Sequence, residues 1–290
     1  MKLQTEVNIK PSEWKIGYED KILMLGSCFS DEIGQQMKQR GLDVTCNPFG
    51  TLYNPLSIAN AIHSTTIDQI PLVCHEGMWH SMAHHGSFSR ATKEETQQAV
   101  LASIETMQRA LSESSVIIVT FGTAWVYEME NEKCENGKWI VGNCHKLPDT
   151  CFTRRRLSVE EIVAAWQPIL KSYPDTHWLF TVSPIRHIKD GLHENQLSKA
   201  TLLMAVDQIT NHKSQITNKI SYFPSYEIVL DELRDYRFYA DDLVHPSSMA
   251  VNYVWERFVD TFCTNATKNE LILRHKAWKQ SQHQPLHNNP

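Results

Sequence analysis

The sequence predicts an α/β fold, a three-layer α/β/α sandwich with a central parallel sheet. Three short apolar runs carry this prediction: residues 22–26, Val116–Phe121 and Trp178–Val182. Continuous apolar runs of this length are typical of strands buried on both faces, as in parallel sheets. Segments with helical patterning separate them, which is the order expected of parallel strands joined by helices. We therefore expect the three runs to be neighbouring or near-neighbouring strands.

Local signals predict the elements of the first half of the chain. A helix is expected over residues 31–40, after the first strand, and a proline in a first-turn position opens a helix over 55–64. Strong helix formers with helical spacing fill residues 93–113. Residues 125–143 are predicted to form an inserted β-hairpin, because aromatic and β-branched residues flank an Asn-Gly turn at 136–137.

The second half is predicted in the same way. Ser158 and Glu161 form a capping box that starts the next helix. The remaining predicted elements are helices over 159–171, 195–213 and 247–262 and a strand over Ile220–Phe223. Residues 276–290 are rich in Gln, His, Asn and Pro, which favours a loose polar tail. We therefore predict one domain over residues 1–275, followed by this tail.

Composition and charge argue against several classes of protein. The 290 residues carry a net charge of −5, whereas general nucleic-acid binders are usually basic. No run of about 18 apolar residues occurs, so no membrane-spanning helix is predicted. The N-terminus lacks the apolar core and the cleavage site of a secretory signal. We expect a cytoplasmic protein that has neither nucleic acid nor a membrane as its partner.

Seven cysteines and fourteen histidines raise the question of a metal site. The cysteine number is odd and no CxxC pair occurs, which favours reduced thiols over a disulfide framework or a zinc site. Cys144 and His145 would supply two ligands, but no second pair is visible. We therefore predict no metal and no cofactor.

Two short motifs carry the clearest chemistry. Ser27 follows the first strand within the pentapeptide GSCFS, and Asp242 precedes His245 by three residues. A serine hydroxyl becomes a good nucleophile when an imidazole takes its proton and a carboxylate orients that imidazole. Backbone N–H groups at a helix start also stabilise an oxyanion. The two motifs therefore predict a serine hydrolase.

These residues also have alternative roles. Ser27 is a good helix N-cap. Cys28 is a rival nucleophile, because a thiol at a helix N-terminus can have a lowered pKa, although we expect it to pack inward. Asp241 is the alternative carboxylate. Asp242 and His245 equally fit a surface turn that leads into the helix predicted to start at residue 247.

Several segments together resemble a known family, the bacterial GSCFA-domain proteins. GSCFS at 26–30 matches the signature of that family. Further similar segments are NPFGTLYNP at 47–55, FGTAW at 121–125, NCHK at 143–146, TVSPIRH at 181–187 and YADDLVHP at 239–246. The similarity runs over about residues 20–262. It implies the SGNH/GDSL hydrolase superfamily and a flavodoxin-like sandwich with about five parallel strands.

The resemblance also implies roles for residues. Carried over, it makes Ser27 the nucleophile, Asp242 the orienting acid and His245 the base. The superfamily's oxyanion hole uses the nucleophile's own N–H, a glycine N–H, which Gly50 matches, and an asparagine side chain. The expected GxND stretch reads GTAW at 122–125, without that asparagine. Losing one oxyanion donor typically costs about 10²–10³ in rate.

Further polar residues complete the predicted site. Asn143, Asn54 or a backbone group near Gly122 would replace the missing donor. Arg186 and His187 follow a strand end, where they would hold an anionic or polyol group unless they form a solvated loop. The predicted substrate-binding residues are Asn54, Gly122, Thr123, His145, Arg186 and His187. The three arginines at 154–156 are predicted to be a solvated charge run.

The expected function is an esterase that acts on an acyl ester. By analogy with the superfamily, the substrate is a small-molecule or carbohydrate ester, including O-acetyl groups on sugars. An O-acyltransferase that uses the same serine is a near variant. The alternative from another class is a ligand-binding module, in which a weakened oxyanion hole has lost turnover and kept affinity.

Overall fold

A five-stranded parallel sheet forms the centre of the protein. The computed structural model describes residues 4–131, 137–211 and 219–282. The strands of the sheet are β1 (Lys21–Gly26), β2 (Asp43–Cys46), β5 (Val116–Phe121), β9 (His177–Val182) and β10 (Ile220–Phe223). Their spatial order is β10-β9-β5-β1-β2, with every neighbouring pair parallel. The three predicted core strands are therefore adjacent, and the predicted α/β fold is confirmed.

Helices cover both faces of this sheet. They are α1 (Cys28–Lys38), α2 (Pro55–His63), α3 (Lys93–Glu113), α4 (Val159–Ser172), α5 (Leu192–Asn211), α6 (Ser225–Glu227), α7 (Ser248–Phe262) and α8 (Asn265–Gln282). Alternate strand residues face opposite ways. Leu23 and Leu25 pack in the core under α2 to α5, whereas Ile22 and Met24 pack with α1 and α7 on the other side. Two apolar cores thus separate three layers.

One predicted helix start and the predicted domain boundary differ from the structure. Helix α1 begins at Cys28 and not at residue 31, because Ser27 already has the extended backbone of an N-cap (φ −69°, ψ 169°). Helix α8 runs to Gln282, so the boundary predicted at residue 275 falls inside a helix and residues 276–282 are not a loose tail. Leu271 anchors α8, since it is buried in the core on the α7 side.

The predicted hairpin is one part of a small antiparallel sheet. Strand β6 (Trp125–Glu130) pairs with β7 (Lys138–Ile140), and Asn136 of the predicted Asn-Gly turn lies outside the described residues. A third strand, β8 (Thr153–Arg156), pairs with the other edge of β6. The arginine run is therefore an edge strand, in which Arg154 and Arg156 are exposed, as predicted for a solvated run, and Arg155 is half-buried. Arg155 binds the buried carboxylate of Glu128, with its Nε 2.7 Å from Oε1.

A second hairpin, β3 (Leu72–His75) and β4 (Met78–Ser81), lies outside both sheets and was not predicted. Within the described ranges, no helix is long and apolar enough to cross a membrane.

The carboxyl ends of β1, β5 and β9 meet at one rim of the central sheet. The Ser27 N–H donates to Thr120 O at 3.2 Å, and the Ser183 N–H donates to Phe121 O at 2.8 Å. The residues that follow the three strands are therefore held side by side. In parallel sheets this rim is the usual place for reactive groups.

Candidate active site

Asp242 and His245 form a hydrogen-bonded pair in one tight turn. His245 Nδ1 lies 2.6 Å from Asp242 Oδ2. The other carboxylate oxygen accepts the backbone N–H groups of Val244 and His245, at 2.9 and 3.0 Å. These two N–H groups, followed by the imidazole bond, lower the pKa of Asp242 to about 2. The carboxylate is thus ionised near neutral pH, and in the neutral form of the imidazole the shared proton lies on Nδ1 and the lone pair on Nε2.

The turn is fastened to the sheet rim. The Arg186 N–H, just after β9, donates to Val244 O at 3.2 Å, and the Arg186 guanidinium donates to Leu243 O at 3.1 Å. The Ala240 N–H closes the turn on His245 O at 2.7 Å. These bonds hold the imidazole over the carboxyl ends of the strands, where the sequence predicted it to lie.

A cavity of about 440 Å³ opens at this rim. It is lined by Cys28, Tyr53, Asn54, Thr123, Trp125, Tyr127, Val141, Gly142, Asn143, Cys144, Arg154, Ile185, Arg186, His187, Lys189, Asp190, Val244 and His245. The antiparallel insertion supplies one part of the wall, as predicted for the hairpin. The cavity brings together the predicted residues Asn54, Thr123, Asn143, Arg186, His187 and His245.

Ser27 does not line this cavity. Its side chain is 1% exposed, and its Oγ is enclosed and has no hydrogen-bond partner among the described residues. Gly122 packs against it, because a Cβ added at that glycine would lie 3.3 Å from the Cβ of Ser27. The hydroxyl therefore has no bond to His245, and this is where the structure departs from the predicted triad.

Cys28, the next residue, does line the cavity together with His245. The side chains of Ser27 and Cys28 point in different directions because their backbone conformations differ. Ser27 is the extended N-cap, whereas Cys28 is the first residue of α1. Burial raises the pKa of the Cys28 thiol, and the N–H groups of Cys28 and Phe29 oppose this rise. The thiol is thus protonated near neutral pH and needs a base to become a nucleophile.

The predicted glycine donors of the oxyanion hole are already occupied. The Gly50 N–H donates to Asn47 O at 2.7 Å, and Gly50 does not line the cavity. The N–H groups of Gly122 and Thr123 both donate to Tyr53 O, at 2.8 and 2.9 Å. None of these N–H groups is free to bind an oxyanion in this structure.

The two predicted asparagines differ in whether their side-chain NH₂ group already donates a hydrogen bond. Asn54 caps α2: its side chain bonds both the N–H and the hydroxyl of Ser57. Asn143 Oδ1 accepts the His145 N–H at 2.8 Å, while its Nδ2 donates no hydrogen bond to a described residue. Asn143 is therefore the better placed amide donor for a ligand in the cavity.

Two predicted histidines have different surroundings. His145 lies outside the cavity: its Nε2 is 2.8 Å from Ser81 O, and its ring stacks on His80, so its role is structural and not the substrate binding that was predicted. His187 lines the cavity, and burial lowers its pKa to about 4. Its Nε2 is enclosed without a hydrogen-bond partner among the described residues. His187 is thus neutral and has one unused ring nitrogen.

Sequence reasoning missed Lys199. This lysine is 1% exposed, and its Nζ donates to Gly122 O at 2.6 Å and to Ser183 O at 2.7 Å. Burial lowers its pKa to about 7. In the sequence it is one lysine among polar neighbours in a predicted helix, and only the packing of α5 on the sheet rim gives it this place.

Metal chemistry has no visible ligand set in the parts of the chain that the structure describes. No group of three or more His, Cys, Asp or Glu side chains is arranged to hold an ion there.

Comparison with known proteins gives one match. The model of the GSCFA family matches residues 21–258, well over half of the chain, and this range includes both the GSCFS turn and the Asp242–His245 pair. No curated protein and no solved structure matches. The chain therefore belongs to the GSCFA family.

Proposed function

We propose that this protein is an acyl-ester hydrolase that forms a covalent acyl-enzyme in the rim cavity. The single observation that carries the proposal is the 2.6 Å bond between His245 and an ionised Asp242, with the imidazole at the cavity wall. An imidazole oriented in this way accepts a proton from a nucleophile and returns it to a leaving group.

The nucleophile that we propose is Cys28, in place of the predicted Ser27. The thiol shares the cavity with His245, whereas the serine oxygen is enclosed and unpaired. As Sγ bonds to the acyl carbon, His245 Nε2 takes the thiol proton. The alcohol then leaves with that proton and a thioester remains. Water attacks the thioester, His245 takes the water proton and returns it to Sγ, and the acid is released.

The oxyanion formed in both steps needs donors. The first N–H groups of α1, on Cys28 and Phe29, point out of a helix whose N-cap side chain makes no capping bond. The Asn143 amide, whose Nδ2 donates to no described residue, would supply a further donor from the opposite element. This set replaces the glycine and GxND donors that the resemblance implied.

The substrate we propose is a small-molecule or carbohydrate ester, including O-acetyl esters, since a cavity of about 440 Å³ admits a ligand of that size. An O-acyltransferase would use the same thioester, with an acceptor alcohol in place of water. A ligand-binding module is the second candidate, favoured by the enclosed Ser27 oxygen and the missing GxND asparagine. We propose cytoplasmic placement from the free cysteines, which are typical of reducing compartments.

Steady-state hydrolysis of p-nitrophenyl acetate tests this function. We expect Cys28→Ala and His245→Ala to lose most of the rate, on the order of 10²–10⁴-fold for the lost base. Ser27→Ala and the exposed-cysteine control Cys151→Ala should retain it. Loss of activity in Ser27→Ala, with full activity in Cys28→Ala, would show that the serine is the nucleophile. Absence of turnover in the wild type, with tight ligand binding, would favour the binding module.

A further inference from the structure

The cavity carries positive charge although the protein as a whole is acidic. The chain has a net charge of −5. The cavity-lining residues, however, include three cationic side chains, on Arg154, Arg186 and Lys189, and a single carboxylate, on Asp190. These four side chains leave a surplus of two positive charges. A cleft lined by one sign of charge concentrates ligands of the other sign.

The single carboxylate is already in use. Asp190 pairs with the guanidinium of Arg154, which also lies over the Trp125 ring at 4.0 Å. Burial raises the pKa of the Asp190 carboxyl, and the nearby charges of Arg154 and Lys189 oppose this rise. Arg154 is thus neutralised and fixed, and the surplus charge belongs to Arg186 and Lys189.

The Arg186 guanidinium has N–H donors that bind no described residue. It bonds the carbonyl of Leu243 and lies 5.8 and 5.5 Å from the ring centroids of Tyr236 and Tyr239. It makes no ion pair with any carboxylate of the described residues, and neither does Lys189. Guanidinium presents five N–H donors in a planar fork, and aromatic contacts use its face and not its edge. The edge therefore remains available for a carboxylate or a phosphate.

The position of Arg186 ties this anion site to the reaction centre. Its backbone N–H holds the carbonyl of Val244, the residue before the proposed base His245. Arg186 and His245 both line the cavity that Cys28 also lines. A ligand anion on Arg186 would therefore fix the rest of the ligand beside the thiol.

We propose that the cavity binds acyl esters that carry an anionic group, a carboxylate or a phosphate, and that Arg186 and Lys189 hold this group. The ester part rests on the proposed function, whereas the anion site stands on the charges and contacts alone. Neutral esters would then be poorer substrates than anionic esters of similar size.

Alkylation of Cys28 tests the anion site without requiring turnover. Iodoacetate and iodoacetamide react alike: a bond forms from Sγ to carbon, the carbon–iodine bond breaks, iodide leaves and the thiol proton goes to base or solvent. The two reagents differ in charge. Peptide mass spectrometry would give both rates at Cys28 and at the exposed Cys151 in the same molecule. We expect the iodoacetate-to-iodoacetamide rate ratio to be about tenfold higher at Cys28 at low ionic strength and to fall with added salt.

Variants locate the charge responsible. The double variant Arg186→Gln/Lys189→Gln should bring the ratio at Cys28 down to that at Cys151. The control Arg237→Gln, which removes an exposed cation outside the cavity, should leave it unchanged. Equal ratios at the two cysteines in the wild type, or an unchanged ratio in the double variant, would overturn the anion site.

Substrates and inhibitors complete the test. We expect p-nitrophenyl hemisuccinate to have a higher kcat/KM than p-nitrophenyl acetate, and the double variant to remove the difference. Comparing inhibition by succinate with inhibition by inorganic phosphate would show whether the site prefers a carboxylate or a phosphate. Hydrolysis of both esters at one rate would overturn the anion inference and leave the hydrolase standing. Preferential alkylation by iodoacetate with no hydrolysis of either ester would retain the anion site and overturn the proposed function.

Discussion

The buried Nζ of Lys199 lies 2.6 Å from the carbonyl oxygen of Gly122 and links α5 to the rim of the central sheet. The same Nζ makes a second bond, at 2.7 Å, to Ser183 O. Gly122 follows β5 and Ser183 follows β9. One side chain thus ties together the ends of two strands that border the candidate site. Gly122 in turn packs on Ser27, just before the proposed nucleophile.

Replacement of Lys199 should therefore destabilise the fold. Lys199→Met removes both bonds and leaves two buried carbonyl oxygens without this donor. We expect the free energy of unfolding to fall by about 1–3 kcal/mol, the range for unsatisfied buried polar groups. Urea unfolding would measure the change, with exposed Lys276→Met as the matched control. Equal stability of the two variants would contradict this role.

His84 should make the protein sensitive to mild acid. Its ring is fully buried against Phe49, with Nδ1 2.7 Å from Ser81 Oγ and Nε2 2.7 Å from Ser103 Oγ. The Ser103 hydroxyl donates to Val100 O, so it accepts from Nε2, and the neutral ring is satisfied. Burial lowers the pKa of His84 to about 3.

The sign of this effect follows from proton linkage. Between a pH of about 6.5, the ordinary histidine pKa, and about 3, the unfolded state binds a proton that the folded state does not. Stability is therefore lost as the pH falls through this window, by up to about 1.4 kcal/mol per pH unit for one such group. Urea midpoints at pH 7 and pH 5 should differ less in His84→Gln than in the wild type. Exposed His63→Gln should keep the full difference, and a similar flattening in both variants would refute the assignment.

Asp242→Asn should change the orientation and tautomer of His245 without changing the stability of the fold. The oxygen of the introduced amide could still accept the two backbone N–H groups of the turn, so we expect little change in the urea midpoint. The amide NH₂ would face Nδ1 of His245 and force the ring proton onto Nε2, which could then no longer accept one. Esterase kcat should drop by about 10⁴, as for a wrong tautomer. Asp241→Asn is the control, and an equal loss in that variant would shift the role to Asp241.

The sequence predicted the framework well because burial leaves a direct signature. The run Val116–Phe121 is buried at every position, and its predicted ends are those of β5. Strand β8 was missed because its sequence, TRRR, has no apolar alternation. Arg155 binds Glu128, and Arg154 lies over the Trp125 ring. Helix α8 was missed because it buries little beyond Leu271.

The site was predicted in part. The Asp242–His245 spacing encodes a local turn, so it could be predicted from four residues. Whether Ser27 or Cys28 faces the cavity depends on where α1 begins and on how Gly122 packs, which are properties of the assembled rim. Lys199 comes from a distant helix, and nothing in its local sequence indicates burial.

Trapping the acyl-enzyme would identify the nucleophile. The protein would be mixed with p-nitrophenyl acetate, quenched in acid within the first turnover and digested for peptide mass spectrometry. We expect one acetyl group on the peptide that contains residues 26–30, placed on Cys28 by fragmentation and removed by neutral hydroxylamine, as a thioester is. The adduct should be absent from Cys28→Ala and should form much more slowly in His245→Ala. An acetyl group on Ser27 that persists in Cys28→Ala would contradict the assignment of Cys28 as the nucleophile.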